Sequence, residues 1–327
     1  MQLVKDHVIA DYKLHYKIGR GSTADVWAAE KNGSADKVAL KLYSHIKHLD
    51  DVAVQLFKDE FEKTTKLHHP KILSAHDFFV ERNTPVLAFP LFDSCLEKEI
   101  TNRKIDQLEQ NIENQPYFSD DEIFAIIKQV SAGLAYLHER HIIHNDIKPA
   151  NIVFNKTDDD TMRCSIIDFG ISLDLKNYTK NAYHKEIASS KTVVYAAPEK
   201  INGVNTEPKS DIFSLGMVMY ELAGGRNKSI PAGDIILKGG QINLENRAAG
   251  DHLQLLMTAC LKKDPKDRPD AKSLLNMVVE YQKHKNPTYL LYPQKSIFHF
   301  VRYKFYYVYN KLINIKNQNN GSKNRTI

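Results

Sequence analysis

Apolar and polar residues alternate along positions 12–45, and the alternation breaks at Gly19, Gly21 and Asn32-Gly33. β-Branched and aromatic residues on a period of two predict short strands. Asn-Gly between two such runs predicts a hairpin. The period then changes. Val54, Phe57, Phe61 and Leu67 recur at helical spacing within 51–67, and His69-Pro70 ends that run. Residues 71–92 return to strand character. Beyond Leu96 the pattern is mostly helical. Ser119-Asp120-Asp121-Glu122 reads as a capping box. Behind it Ile123, Ile126, Ile127, Val130, Leu134 and Leu137 form a long apolar stripe. The polar stretch 97–118, rich in Glu, Gln and Asn, reads as a surface insertion ahead of that helix. The order predicts an α+β, two-lobed fold with a β-rich small lobe and a helical large lobe.

Composition narrows the class. A chain of 327 residues can bury a sizeable core, and 42% hydrophobic with 26% charged residues is ordinary for a soluble globular protein. Residues 1–12 hold no apolar run of signal-peptide length, which argues against export by that route. No stretch reaches the roughly 18 uncharged apolar residues of a spanning helix. Cys95, Cys164 and Cys260 are far apart and odd in number, the pattern of reduced thiols in a cytoplasmic protein rather than a disulfide or zinc framework. The formal charge of +5 conceals an asymmetry. Residues 281–327 carry nine Lys/Arg and no Asp or Glu, so the remainder has a net charge of −4. A mildly acidic body precedes a strongly basic tail.

Three places carry chemistry. Gly19-Arg20-Gly21-Ser22-Thr23-Ala24-Asp25-Val26 lies between two predicted strands. Glycines let a backbone approach phosphate oxygens without an intervening side chain. A plain turn fits the same residues, and Ala24 stands where a third glycine is usual. The hairpin setting argues against a dinucleotide site, which needs a strand-to-helix turn. Val38-Ala39-Leu40-Lys41 ends an apolar strand in a lysine. Such a lysine commonly points to solvent. With an acidic partner, Glu60 or Glu62, it would instead hold the α- and β-phosphates of a nucleotide.

The third place is His144-Asn145-Asp146-Ile147-Lys148-Pro149-Ala150-Asn151, followed by Asp168-Phe169-Gly170 after a strand-like Cys164-Ser165-Ile166-Ile167. A carboxylate, a cation and an amide on one loop, with a second carboxylate nearby, suit phosphoryl transfer. Asp146 can accept a hydroxyl proton, and Lys148 can neutralise charge on a γ-phosphate. Asn151 and Asp168 offer hard oxygen ligands for a divalent cation.

Taken together, these motifs resemble a eukaryotic-type serine/threonine protein kinase over residues 12–282. Ala197-Pro198-Glu199, Asp211 to Gly216 and Asp267-Arg268-Pro269 extend the resemblance. It implies a small lobe at 12–92, a large lobe at 93–282, a leader at 1–11 and a basic aromatic extension at 283–327. It implies ATP with Mg²⁺ or Mn²⁺ as cofactors and a Ser/Thr-bearing protein as substrate. Gly19, Gly21, Val26, Ala39 and Lys41 would contact the nucleotide, with Arg20 and Ser22 in the same loop. Family spacing favours Glu60 over Glu62 as the partner of Lys41. Phe89 would be the gatekeeper, Pro90 and Phe92 would lie in the hinge, and Val153 would close the adenine site with Val26 and Ala39. Glu199 and Arg268 would form a structural pair, and Asp211 would anchor the catalytic loop. Lys148 and Thr192 are the residues that hydroxyl-amino-acid kinases carry, and Thr192 would bond Asp146 and Lys148. A pseudokinase scaffold and a small-molecule phosphotransferase of related fold are the alternatives.

Two departures inform regulation and location. Most regulated kinases place arginine where this chain has Asn145, and that arginine pairs with phosphate on the activation segment. Asparagine has no charge for such a contact. Activity is therefore expected not to depend on phosphorylation of 171–196, Thr179, Ser189 and Ser190 included. In the tail, Ile297, Phe300, Val301, Phe305, Val308 and Leu312 share one side of a helix. Packing on the large lobe, an anionic membrane surface and a partner are three open readings of 286–312. Nucleic acid is not expected as a partner. A cytoplasmic location, with or without peripheral membrane association, fits all three. The Asn-rich end, 316–327, is expected to be disordered.

Overall fold

The computed structural model describes residues 4–21, 24–34, 36–44, 51–112, 115–168, 194–203, 206–224 and 250–290. The side chains of 51–53, 56, 60 and 63 are outside this set.

The small lobe is an antiparallel sheet of β1 (Val8–Ile9), β2 (Tyr12–Arg20), β3 (Asp25–Lys31), β4 (Lys37–Leu42), β5 (Asp77–Glu81) and β6 (Thr84–Pro90), in the order β1-β2-β3-β4-β6-β5. Strand alternation decides which side chain meets what. In β4, Val38, Leu40 and Leu42 are buried against Leu14, Trp27 and Val86. Ala39 and Lys41 therefore lie on the opposite face. Asn32-Gly33 makes the β3–β4 turn, and Gly33 takes φ +79°, a conformation that glycine adopts without steric cost. Helix α1 (Asp51–Thr64) buries Phe57 beside Tyr43, with ring centroids 4.4 Å apart.

The large lobe begins with a second sheet. β7 (Ser94–Cys95), β8 (Ile152–Lys156) and β9 (Met162–Ile166) pair antiparallel in that order. The stretch 97–118 corrects the sequence reading. Most of it is a regular helix, α2 (Leu96–Glu109), with Leu96, Glu99 and Ile100 buried. Arg103 makes the difference. It pairs with Glu99 one turn back at 3.1 Å and with Glu122 at 2.9 Å, and it donates to the Tyr117 carbonyl. A helix with so few apolar positions is thereby tied to its neighbour.

That neighbour, α3 (Asp120–His138), starts at the predicted capping box. The Ser119 side chain accepts from the Glu122 N–H, and the Glu122 carboxylate accepts from the Ser119 N–H at 2.7 Å. Its stripe from Ile123 to Leu137 is buried throughout. Gly133 sits mid-helix because a Cβ there would lie 2.9 Å from the Ile166 side chain and 3.0 Å from the Lys71 carbonyl. This close approach seats α3 against the strand that leads to Asp168. Among the described residues the remaining α-helices are α4 (Pro198–Ile201), α5 (Pro208–Leu222), α6 (Asp251–Cys260) and α7 (Ala271–His284). α5 is apolar nearly all round and buried from Ser210 to Met219, as expected of a helix at a lobe centre. Burial pushes the thiols of Cys164 and Cys260 up to about 12, so both stay protonated near neutrality. Among the described residues no helix is long and apolar enough to cross a membrane.

Candidate active site

The loop from His144 to Asn151 leaves α3 and is fastened before it reaches β8. Asp211, 1% exposed at the start of α5, takes three hydrogen bonds: from the His144 N–H (2.8 Å), from the Asn145 N–H (2.8 Å) and with His138 Nε2 (2.9 Å). His144 adds a second anchor. Its Nδ1 accepts the Asp146 N–H at 3.2 Å, so Nε2 carries the proton and donates to the Ile167 carbonyl at 2.9 Å. Burial holds this imidazole below its ordinary pKa, against the raising effect of Asp211 and Asp146, and keeps it neutral.

The reactive side chains converge on Asp146. Lys148 Nζ lies 3.0 Å from Asp146 Oδ2. Asn151 Nδ2 donates to the Asp146 carbonyl at 2.8 Å and to Oδ2 at 3.1 Å. With its nitrogen so engaged, the Asn151 amide presents its oxygen away from Asp146. The Asn151 carbonyl accepts the Ile167 N–H at 3.0 Å, which sets the loop beside Asp168. Asp168 has φ +62° and Asn145 has φ +63°. Both residue types tolerate this left-handed region better than most.

The small lobe contributes Lys41. Its Nζ lies 2.6 Å from Asp168 Oδ1, an ion pair that spans the two lobes. Burial works against the Lys41 charge, but Asp168 and Tyr43 outweigh it and lift the ammonium above its ordinary value. Lys41 stands opposite Val26, and Val26 opposite Gly19, across three strands. The Gly21 N–H closes the turn by donating to the Ala24 carbonyl at 2.8 Å. Ala39 pairs with Phe89 in β6, next to Pro90. Val26, Ala39, Phe89, Phe92 and Val153 are all partly exposed, although Leu40, Ile152 and Phe154 beside them in the chain are buried. These partly exposed apolar residues come from both lobes.

The contacts join Asp146 to Lys148 and Asn151, and Asp168 to Lys41, while strand register sets Gly19, Val26, Ala39 and Phe89 beside the Lys41 strand. Ser22, Phe169, Gly170, Thr192 and the whole of 171–193 lie outside the described residues, as does the Glu60 side chain. The tail from 291 onward also lies outside them. The carboxylate observed at Lys41 is that of Asp168. The predicted Glu199–Arg268 pair is present and two-pronged, at 2.8 and 2.9 Å, with Arg268 fully buried. It lowers the Glu199 pKa in spite of burial. Sequence reasoning missed Tyr43 and Lys200. The Lys41 ammonium lies 5.3 Å from the Tyr43 ring centroid, and Lys200 Nζ donates to the Asn145 carbonyl. Tyr43 is two residues beyond Lys41, but no motif marked it.

Comparison with known proteins gives the family and the fold. Residues 12–279 match the protein kinase domain family, so the chain belongs to it. DNA damage response protein kinase DUN1 of Saccharomyces cerevisiae is 29% identical over 226 residues, 64% of this chain and 42% of that protein. Serine/threonine-protein kinase PrkC of Bacillus subtilis is 28% identical over 224 residues, 68% of this chain and 32% of that protein. The chain thus spans less than half the length of these relatives. The kinase domain of Mycobacterium tuberculosis PknI shares the fold, with a TM-score of 0.61, 21% identity, and coverage of 86% of this chain and all of that one.

Proposed function

We propose that this chain is an ATP-dependent serine/threonine protein kinase that transfers the γ-phosphoryl group to a protein hydroxyl. The observation that carries the reading is the cluster on one loop. Lys148 and Asn151 hold one Asp146 oxygen at 3.0 and 3.1 Å, while Asp168 stands paired with Lys41 nearby. Asp146 accepts the proton of the attacking hydroxyl as its oxygen bonds to the γ-phosphorus. The bond from that phosphorus to the β–γ bridging oxygen breaks, and ADP leaves. Lys148 offsets the charge on the transferred group. Lys41 holds the α- and β-phosphates, and the Gly19–Gly21 turn covers them. Val26, Ala39 and Val153 enclose the adenine, and the backbone after Phe89 meets its edge at Pro90 and Phe92. By the family resemblance Thr192, which lies outside the described residues, would bond Asp146 and Lys148.

The donor set fits a small, hard cation. Asn151, its amide nitrogen taken up by Asp146, has an amide oxygen to offer, and Asp168 adds a carboxylate, both oxygen donors. These two residues would hold magnesium or manganese, which when bound neutralises phosphate charge. Asn145 supports a further reading, that activity does not require phosphate on 171–196. The triple variant T179A/S189A/S190A is expected to keep activity within a few-fold of wild type. A tenfold loss would contradict it.

The reading is tested with labelled ATP, magnesium and generic protein substrates. Label is expected on serine or threonine with wild type and not with Asp146→Ala. Equal labelling by both would remove the catalytic assignment. ATP consumption dependent on Asp146 but directed to a small molecule would favour the related phosphotransferase.

A further inference from the structure

We propose that Lys200 is a positioning residue for phosphoryl transfer, holding the peptide between Asn145 and Asp146 so that the Asp146 carboxylate meets the acceptor hydroxyl. The proposal rests on the kinase reading above and names a brace within its catalytic loop. No sequence motif assigns this lysine a role.

The Asn145–Asp146 peptide is planar, so fixing its oxygen and its N–H fixes the direction in which the chain enters Asp146. The structure holds both ends. The Asp146 N–H donates to His144 Nδ1 at 3.2 Å, and the Asn145 carbonyl accepts from the Lys200 ammonium. One residue earlier, the Asn145 N–H donates to Asp211 Oδ1 at 2.8 Å. Asn145 is thus gripped on either side while its φ is +63°. A neutral carbonyl facing an ammonium makes a charge-assisted bond, stronger than one between neutral groups.

The brace needs a rigid base, and Lys200 has one. It directly follows Glu199 in α4, and Glu199 is locked by Arg268 at 2.8 and 2.9 Å and by Ser210 Oγ at 2.7 Å. Arg268 is fully buried and also donates to the carbonyls of Lys262, Lys263 and Lys209. Ser210 and Asp211 are neighbours on α5. The two grips on Asn145 therefore descend from one buried ion-pair assembly. The cation from α4 thus meets the backbone carbonyl of Asn145 rather than its uncharged side chain.

A positioning role separates turnover from nucleotide binding. Lys200→Met is expected to lower kcat about 10- to 100-fold, the scale of an approximately 1 Å misplacement, with KM for ATP unchanged within threefold. Lys200→Arg, which restores a cationic donor, is expected to recover most of the loss. Independently of activity, amide exchange in a peptide spanning 144–147 is expected to speed up at least tenfold in Lys200→Met. Lys200 is partly exposed, and a melting temperature within a few degrees of wild type checks the fold. A kcat within twofold of wild type would overturn the proposal, as would equal losses in kcat and ATP binding or unchanged exchange at 144–147. Asp146→Ala run in parallel keeps the two readings apart. Wild-type labelling that Asp146→Ala does not abolish defeats the kinase reading, whereas Asp146-dependent labelling with a normal Lys200→Met defeats only the brace.

Discussion

The two halves of the site are held in different ways. In the large lobe, the loop 144–151 is bonded from several sides: Asp211 and His144 fix its backbone, and Asn151 and Lys148 fix the Asp146 side chain. In the small lobe, Lys41 reaches the large lobe through its ion pair with Asp168. The first arrangement is set by contacts with α3 and α5 inside the large lobe. The second depends on how the lobes meet. Such a difference suits the proposed reading, in which the acid–base group is preorganised while the nucleotide cleft opens and closes.

The largest expected effect comes from the base of the large-lobe scaffold. Arg268→Met leaves the Glu199 carboxylate in the interior without its ion partner, and Glu199→Ala does the same to Arg268. Each is expected to cost about 3–5 kcal/mol, read as a lowered urea midpoint. A loss below about 1 kcal/mol would mean that the large lobe does not depend on this pair, and the contrast between the halves would weaken. A comparable cost from Lys41→Met would also break the contrast, because the Lys41–Asp168 pair is partly open to solvent at 17% and 26% exposure.

Acid should act on the loop first. His144 is held neutral by burial below its ordinary value of 6.5. A group with a depressed folded pKa stabilises above its unfolded value and loses that contribution as pH falls. Stability is therefore expected to be full above about pH 6.5 and to decline below it, by up to about 1.4 kcal/mol per pH unit for one group. Glu199, also depressed, adds a second decline below its ordinary 4.5. Denaturant midpoints at pH 7.5 and 5.5 read the summed decline of His144 with His69 and His76, which burial also holds below 6.5. An unchanged midpoint would mean that His144 charges without cost.

The smallest effect isolates local from global stabilisation. Ser119→Ala removes the side-chain half of the α3 capping box and is expected to cost about 1 kcal/mol, with the active-site loop unaffected.

Much of this was legible in the chain. The capping box, the α3 stripe and the β3–β4 turn were each read from spacing and found in place, because each is a local device whose partners lie within a few residues. Glu199 and Arg268, 69 positions apart, were legible only through family motifs. What escaped had no local signal. α2 looked like a polar insertion because its register is held by Arg103 reaching Glu122 across a loop. The contact of Lys200 with Asn145 joins residues 55 positions apart through a side chain of ordinary surface type. The pairing of Lys41 with Asp168 likewise depends on how two lobes face each other, which periodicity does not encode.

The central claim is that loop 144–151 is a preorganised transfer site in which Asp146 acts on the acceptor while Lys41 acts on the nucleotide. It is tested most directly by measuring ATP affinity and turnover separately in Asp146→Asn and Lys41→Met. The account predicts that Asp146→Asn keeps ATP affinity within about threefold yet loses turnover by at least about 100-fold, whereas Lys41→Met impairs both. Turnover by Asp146→Asn within threefold of wild type would contradict it.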